Sequence, residues 1–317
     1  MALVFCDRSF FLRGFKMSSL GTQMAEQMSG CKLEVTSFSA GKKFTDGQRA
    51  RMAEFFDSEV KSVSGTRQIL NKKLPQVKAV YAIIRSARAL WQGYTVKYEE
   101  GTRLIKADKI VWMNEQIASF QEHLQAAKDE LWQNWDAVKA DARTRLADLY
   151  VESDYNFDVR QTIWINISYP SVQPDGKLEK LGKDIWEKEM QKFALKFDEA
   201  AHAAEAALRQ EFADMIAGVA ERLEGGESED GKKRVLQQRA VDNIVEFADR
   251  FRSLSIGDNA ELDALVAQAE QLAVGLDTKA MKADSGQHTA MREAFARLKT
   301  SIDAHVVTAA ERVIEFE

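Results

Sequence analysis

The sequence predicts a mainly α-helical protein: a long antiparallel helical hairpin and a helical bundle, with a small β-sheet as a minor α+β element. Three observations predict it. Only 3 Pro and 17 Gly occur in 317 residues, so little in the chain breaks helices. Two stretches of roughly forty residues repeat apolar side chains in steps of three and four, the helical period. Runs of β-favouring residues are short and few.

The elements follow in chain order. Residues 1–30 read as an N-terminal extension. Asp7, Arg8 and Arg13 interrupt the apolar core a signal peptide requires, so residues 1–16 are either a dispensable lead or an ordered strand or helix. Met17, Ser18 and Ser19 read as a helix start. Residues 31–106 form a small basic α+β region. Within it Cys31 to Phe38 alternates like a strand, Gly41 turns the chain, and Thr45 and Asp46 cap a helix reaching about Val63. That helix is expected to bury Met52, Phe55, Phe56 and Val60. Pro75 suits a first helical turn, and Val77, Val80, Tyr81, Ile84, Ala87, Leu90 and Trp91 recur behind it until Gly93. Tyr94 to Ile105 has two β-rich pieces about Glu99, Glu100 and Gly101, a hairpin or a strand and bend.

Residues 107–224 are expected to form the hairpin. From Ala107 to Val151 there is neither Gly nor Pro, and Met113, Ile117, Phe120, Leu124, Ala127 and Leu131 give way to Trp135, Val138, Ala142, Leu146 and Leu149. This reads as one helix of roughly 60 Å at 1.5 Å per residue, with coiled-coil-like steps. Asp184 to Leu223 mirrors it, through Trp186, Met190, Phe193, Phe197, Ala200, Ala204, Leu208, Phe212, Met215 and Val219. Two stripes of equal length can bury each other. Residues 156–182 insert a strand between them, ended by Pro170, Pro174 and Gly176. Beyond an acidic glycine-bearing loop, residues 233–317 hold helices at about 233–254, 259–275 and 287–310, a C-terminal bundle.

Composition excludes several classes. At 45% hydrophobic and 29% charged, the chain is neither disordered nor collagenous. No apolar run approaches the eighteen or so residues of a membrane span. Two cysteines, Cys6 and Cys31, make no disulfide framework or Cys-rich zinc site, which points to a reducing, cytoplasmic compartment.

Catalytic motifs fail on inspection. Gly226 to Lys232 has the spacing of a phosphate-binding loop, but Lys233 stands where a hydroxyl should hold magnesium, and Glu227, Glu229 and Asp230 would repel phosphates. Gly41-Lys42-Lys43 lacks the leading glycine, with Thr36 in its place. Glu199 and His202 have the Glu-x-x-His spacing of bundle metal sites, yet His123, His288 and His305 supply no second copy. No Ser-His or Cys-His constellation emerges. The expectation is a protein that is not an enzyme, with no cofactor and no metal.

Charge is the strongest functional signal. Between Lys32 and Lys109 there are 16 basic and 8 acidic residues, +8 in a chain of net -5, so the remainder carries -13. Arg49, Arg51, Lys72, Lys73, Lys78, Arg85 and Arg88 are candidate nucleic-acid contacts, or the region docks on acidic protein surface. Tyr81 and Trp91 fall on the apolar stripe, which favours core over stacking platform.

The segments KLEVTSFSAGKKFT, GYTVKYEEGTRLI, VLQQRAVDNIVEFADRFRSL and GDNAELDALVAQAEQLAVGLD resemble an uncharacterised domain-of-unknown-function family of phages, plasmids and bacteria. Its members are often encoded near MoxR-type AAA+ ATPases and von Willebrand factor A-domain proteins. The likeness spans about residues 30–305 and rests on diffuse hydrophobic patterns. It departs from the family where a Pro-Trp pair is replaced by Tyr98-Glu99-Glu100. The resemblance implies an accessory protein of a bacterial cell or phage-infected host, partnered with such an ATPase, and brings no catalytic residues.

Two functions therefore stand as expectations. The first is a helical scaffold or adaptor acting through protein contacts, as a monomer or homo-oligomer. Val241, Ile244, Val245, Phe247, Ala248 and Phe251 would then either seat a partner helix or fill the bundle's own core. The second is a nucleic-acid-binding accessory protein using the basic region 32–109.

Overall fold

A computed structural model of the chain describes residues 17–37, 39–227, 231, 233–257 and 259–314, with residues 282, 283 and 305–314 described in backbone only. The expectations for residues 1–16 and for most of the loop 226–232 lie outside the described residues.

In chain order the elements are α1 (Ser19–Gln27), β1 (Met28–Thr36), β2 (Gly41–Lys43), α2 (Asp46–Phe55), β3 (Thr66–Gln68), α3 (Pro75–Gly93), β4 (Val96–Glu99) and β5 (Thr102–Lys106). There follow α4 (Ile110–Gln133), α5 (Trp135–Leu146), α6 (Val159–Thr162), β6 (Trp164–Ser168), α7 (Lys177–Leu181) and α8 (Lys183–Glu224). The chain continues through α9 (Gln238–Leu254), α10 (Ala260–Ala273), α11 (Thr278–Ala283) and α12 (Ser285–Ile314). The expected class, mainly α with minor β, is what the chain forms.

It folds into two units, neither contiguous in sequence. The first gathers Met1–Gly30, Tyr94–Ala107 and Ser171–Glu317, and the second Cys31–Gly93 and Asp108–Pro170.

In the first unit the spine is α8, 42 residues long, about 63 Å at 1.5 Å per residue. Its stripe of Met190, Phe193, Phe197, Leu208, Phe212, Ile216 and Val219 is buried. Packed along it are α1, α9 and α12. Phe212 lies over Phe247 of α9 at 5.4 Å between ring centres, and each such side chain removed from water contributes about 1.5–3 kcal/mol. Asp198 on α8 holds the start of α1, accepting from the Ser18 backbone N–H at 3.0 Å and from Ser18 Oγ at 2.6 Å. The β4–β5 hairpin, with Gly101 at φ +76° in its turn, adds Val96 and Leu104 to the same core.

In the second unit α3 packs on α4, burying Val77, Val80, Ile84 and Ala87, while β6 and α6 cover other parts of α4. β6 pairs antiparallel with β1, Leu33 opposite Ile167 and Val35 opposite Ile165. The strand expected within 156–182 thus returns to β1. β2 pairs with β3, Gly41 opposite Gln68.

Three expectations need correction. The stretch 107–151 is not one helix: α4 ends at Gln133, the next residue, Asn134, donates from Nδ2 to Glu130 O at 2.8 Å, and α5 starts afresh at Trp135. The two long stripes, expected to bury each other, fall in different units. α4 buries its stripe within the second unit and α8 within the first, because an apolar stripe names no partner and each finds several helices in its own unit. The four sequential domains regroup accordingly.

The third correction concerns α2. Thr45 forms a full capping box with Gln48, as its residue type predicts. The helix stops at Phe55, eight residues before Val63, because Asp57 adopts φ 48° and Ser58 N–H closes on Ala53 O at 2.9 Å while Asp57 N–H closes on Glu54 O at 3.2 Å. That double closure is the Schellman stop, with Asp in the left-handed position glycine usually takes. The expected buried stripe is therefore cut, and Phe55, Phe56 and Val60 stand in solvent, 79%, 62% and 44% exposed.

Candidate interaction surfaces

Six of the seven cations singled out by charge lie exposed in the second unit: Arg51 on α2, Lys72 and Lys73 just ahead of α3, and Lys78, Arg85 and Arg88 on α3. Arg49 differs, being half-buried and ion-paired with Asp46 one helical turn earlier. Among the described residues none of the six exposed cations pairs with a carboxylate. For the five from Lys72 to Arg88 the chain offers no acidic neighbour, since Val60 to Gly93 contains seven Lys or Arg and neither Asp nor Glu.

Steps of seven and three residues put Lys78, Arg85 and Arg88 on one strip of α3, beside the buried strip of Val77, Val80, Ile84 and Ala87. Tyr81 shares the cationic strip but is half-buried, and Lys72 Nζ lies 5.6 Å from its ring centre, within cation–π range. Burial pushes the Tyr81 phenol up from its ordinary value. The ring is thus occupied on one side by the protein's own cation.

Arg67, also in the basic stretch, has a structural task instead. Its side chain is 3% exposed, pairs with Asp154 at 2.9 Å and donates from Nη1 to Leu149 O at 3.0 Å, tying β3 to the segment after α5.

A second surface comprises Phe55 and Phe56, ring centres 4.9 Å apart and edge to face. Residues 54–62 are all exposed, and in sequence Glu54, Asp57 and Glu59 lie closest to the two aromatics, with Lys61 the one cation of the stretch. Periodicity alone concealed this surface; the signal that marks it is Asp57-Ser58, two poor helix formers directly after the aromatics.

The remaining expectations find plain places. Val241, Ile244, Phe247, Ala248 and Phe251 are buried and Val245 is half-buried against them, so these residues fill the first unit's core and present no groove. Glu199 and His202 both lie exposed on α8. Among the described residues no three His, Cys, Asp or Glu side chains converge to hold a metal ion, and no helix is long and apolar enough to cross a membrane. An open cleft of about 430 Å³ in the first unit is lined by Lys106, Arg252, Asp263 and Val266 among others. Its cations are engaged: Arg252 binds Glu270 and Asp249, and Lys106 Nζ donates to Arg252 O at 3.1 Å.

No family model, no curated protein and no solved structure matches this chain.

Proposed function

We propose that the chain is a non-enzymatic helical scaffold or adaptor that works by protein–protein contact. The observation carrying this reading is the exposed Phe55–Phe56 pair. Large aromatics left in water where a capped helix stops are the anchor type that protein interfaces use, and their acidic neighbours suit a partner pocket with a basic rim. The resemblance of the sequence to the family encoded beside MoxR-type AAA+ ATPases supplies a partner to test first.

The test is retention of that ATPase, or of other proteins identified by mass spectrometry, on the immobilised chain. Phe55→Ser with Phe56→Ser should reduce retention at least tenfold while leaving the melting midpoint unchanged. Equal retention by both forms overturns the reading.

A second reading, an accessory protein that binds nucleic acid, is favoured by the unpaired cationic strip of α3 and its acid-free sequence. It places the contacts on Lys72, Lys73, Lys78, Arg85 and Arg88, with Arg51 nearby in sequence and Arg49 removed by its pairing with Asp46.

A further inference from the structure

From the α3 strip we infer that the second unit grips the phosphate backbone of a double helix without reading its sequence. The inference rests on the nucleic-acid reading above and adds to it the class of nucleic acid and the mode of contact.

Lys78 and Arg88 are ten residues apart on one uninterrupted helix, about 15 Å at 1.5 Å per residue. A helix holds its side-chain origins in a fixed row, and the partner best matched to a fixed row of cations is one whose phosphates are also fixed. A duplex carries two phosphates per ~3.4 Å of axis and releases more counterion per contact than a single strand.

Single-strand binders compensate for their ligand's flexibility and lower charge density by stacking bases on free aromatic rings. On this strip Tyr81 is the aromatic within the row, half-buried and covered on one side by Lys72. Base reading is disfavoured too: between Lys78 and Arg88 the helix has neither Asn nor Gln, the side chains that pair with adenine edges. Lys and Arg can also reach guanine edges, but the charges that a row of cations meets first at a duplex surface are phosphates, which position the protein without carrying sequence information, and the two duplexes below test whether any base is read.

Five cations, Lys72, Lys73, Lys78, Arg85 and Arg88, set the expected salt dependence. At about -0.9 per neutralised phosphate, the slope of log K against log salt is about -4.5, a loss of roughly 500-fold between 50 and 200 mM.

The full chain is titrated by fluorescence anisotropy with a random-sequence 30-base-pair DNA duplex, its shuffled counterpart, the matching single strand, and vesicles containing phosphatidylserine. The inference expects equal affinity for the two duplexes, weaker binding of the single strand, and the slope above. Lys78→Ala, Arg85→Ala and Arg88→Ala together should make the slope shallower by about 2.7. Tyr81→Leu, checked for an unchanged circular dichroism spectrum, should leave affinity within twofold.

A single strand bound tenfold more tightly than duplex, or a tenfold loss on Tyr81→Leu, overturns backbone gripping and leaves the nucleic-acid reading in place. A tenfold difference between the two duplexes overturns sequence independence. Absence of salt-sensitive binding to any nucleic acid in 20 mM salt overturns the inference and the reading together, as does binding confined to the anionic vesicles.

Discussion

Arg67 and Tyr155 show how single side chains lock the second unit. Arg67 is an arginine in a basic stretch, yet it is sealed against Asp154, and a truncation leaves a buried carboxylate without its partner. Arg67→Met is expected to destabilise the chain by about 3–5 kcal/mol in urea denaturation, whereas Arg85→Met, in solvent, should change stability by less than about 0.5 kcal/mol. Tyr155 donates its hydroxyl to Ile69 O at 2.8 Å, and burial pushes its phenol up to about 12. The unfolded phenol ionises near 10, so the stabilisation is complete below pH 10 and is lost as pH rises toward 12. Subtracting the stability curve of Tyr155→Phe from that of the parent should reveal a decline confined to that window. A flat difference would mean the hydroxyl is not held neutral.

At the scale of elements, much was legible before any coordinates. The N-caps Ser18 and Thr45, the start of α3 at Pro75, the β4–β5 turn at Gly101 and the breadth of α8 all follow from local chemistry, which acts within a few residues. Thr45→Ala should lower stability by about 1 kcal/mol by removing the capping box of α2. Partner choice was not legible, because Leu124 or Phe212 on an apolar stripe satisfies any apolar neighbour. The early stop of α2 is hidden for a related reason: Met52, Phe55, Phe56 and Val60 keep helical spacing, but Asp57 closes the helix before the spacing can be used. Of the candidate contacts, Lys78, Arg85 and Arg88 stand exposed on the helix that the spacing behind Pro75 predicts, whereas the pairing of Arg49 with Asp46 is not visible in the charge count from which the candidates come. Docking of α1 on α8 is equally specific. A Cβ on Gly21 would stand 1.9 Å from Asp198 Oδ1, so Gly21→Ala must push aside the carboxylate that holds Ser18. A loss of about 1–3 kcal/mol is expected from thermal melting.

The molecule as a whole is organised by a chain that passes between its units four times, at residues 30–31, 93–94, 107–108 and 170–171. The first unit's core draws Met24, Ala25 and Met28 from one end of the sequence, Val96 and Leu104 from the middle, and the rest from beyond 171. A fragment comprising residues 171–317 therefore lacks part of its own interior. It is expected to bind a hydrophobic dye such as ANS and to melt without a cooperative transition, although it contains every helix from α7 to α12. A sharp melt would show that the missing residues are dispensable.

This interleaving has a consequence at the ribosome. Once Pro170 has emerged the second unit has all its residues, but Met24 and Leu104 still wait for Phe295, Leu298 and Ile302 on α12. At 5–20 residues per second that interval is about 7–26 s, during which the nascent polypeptide carries uncovered apolar side chains and offers them to chaperones and proteases alike.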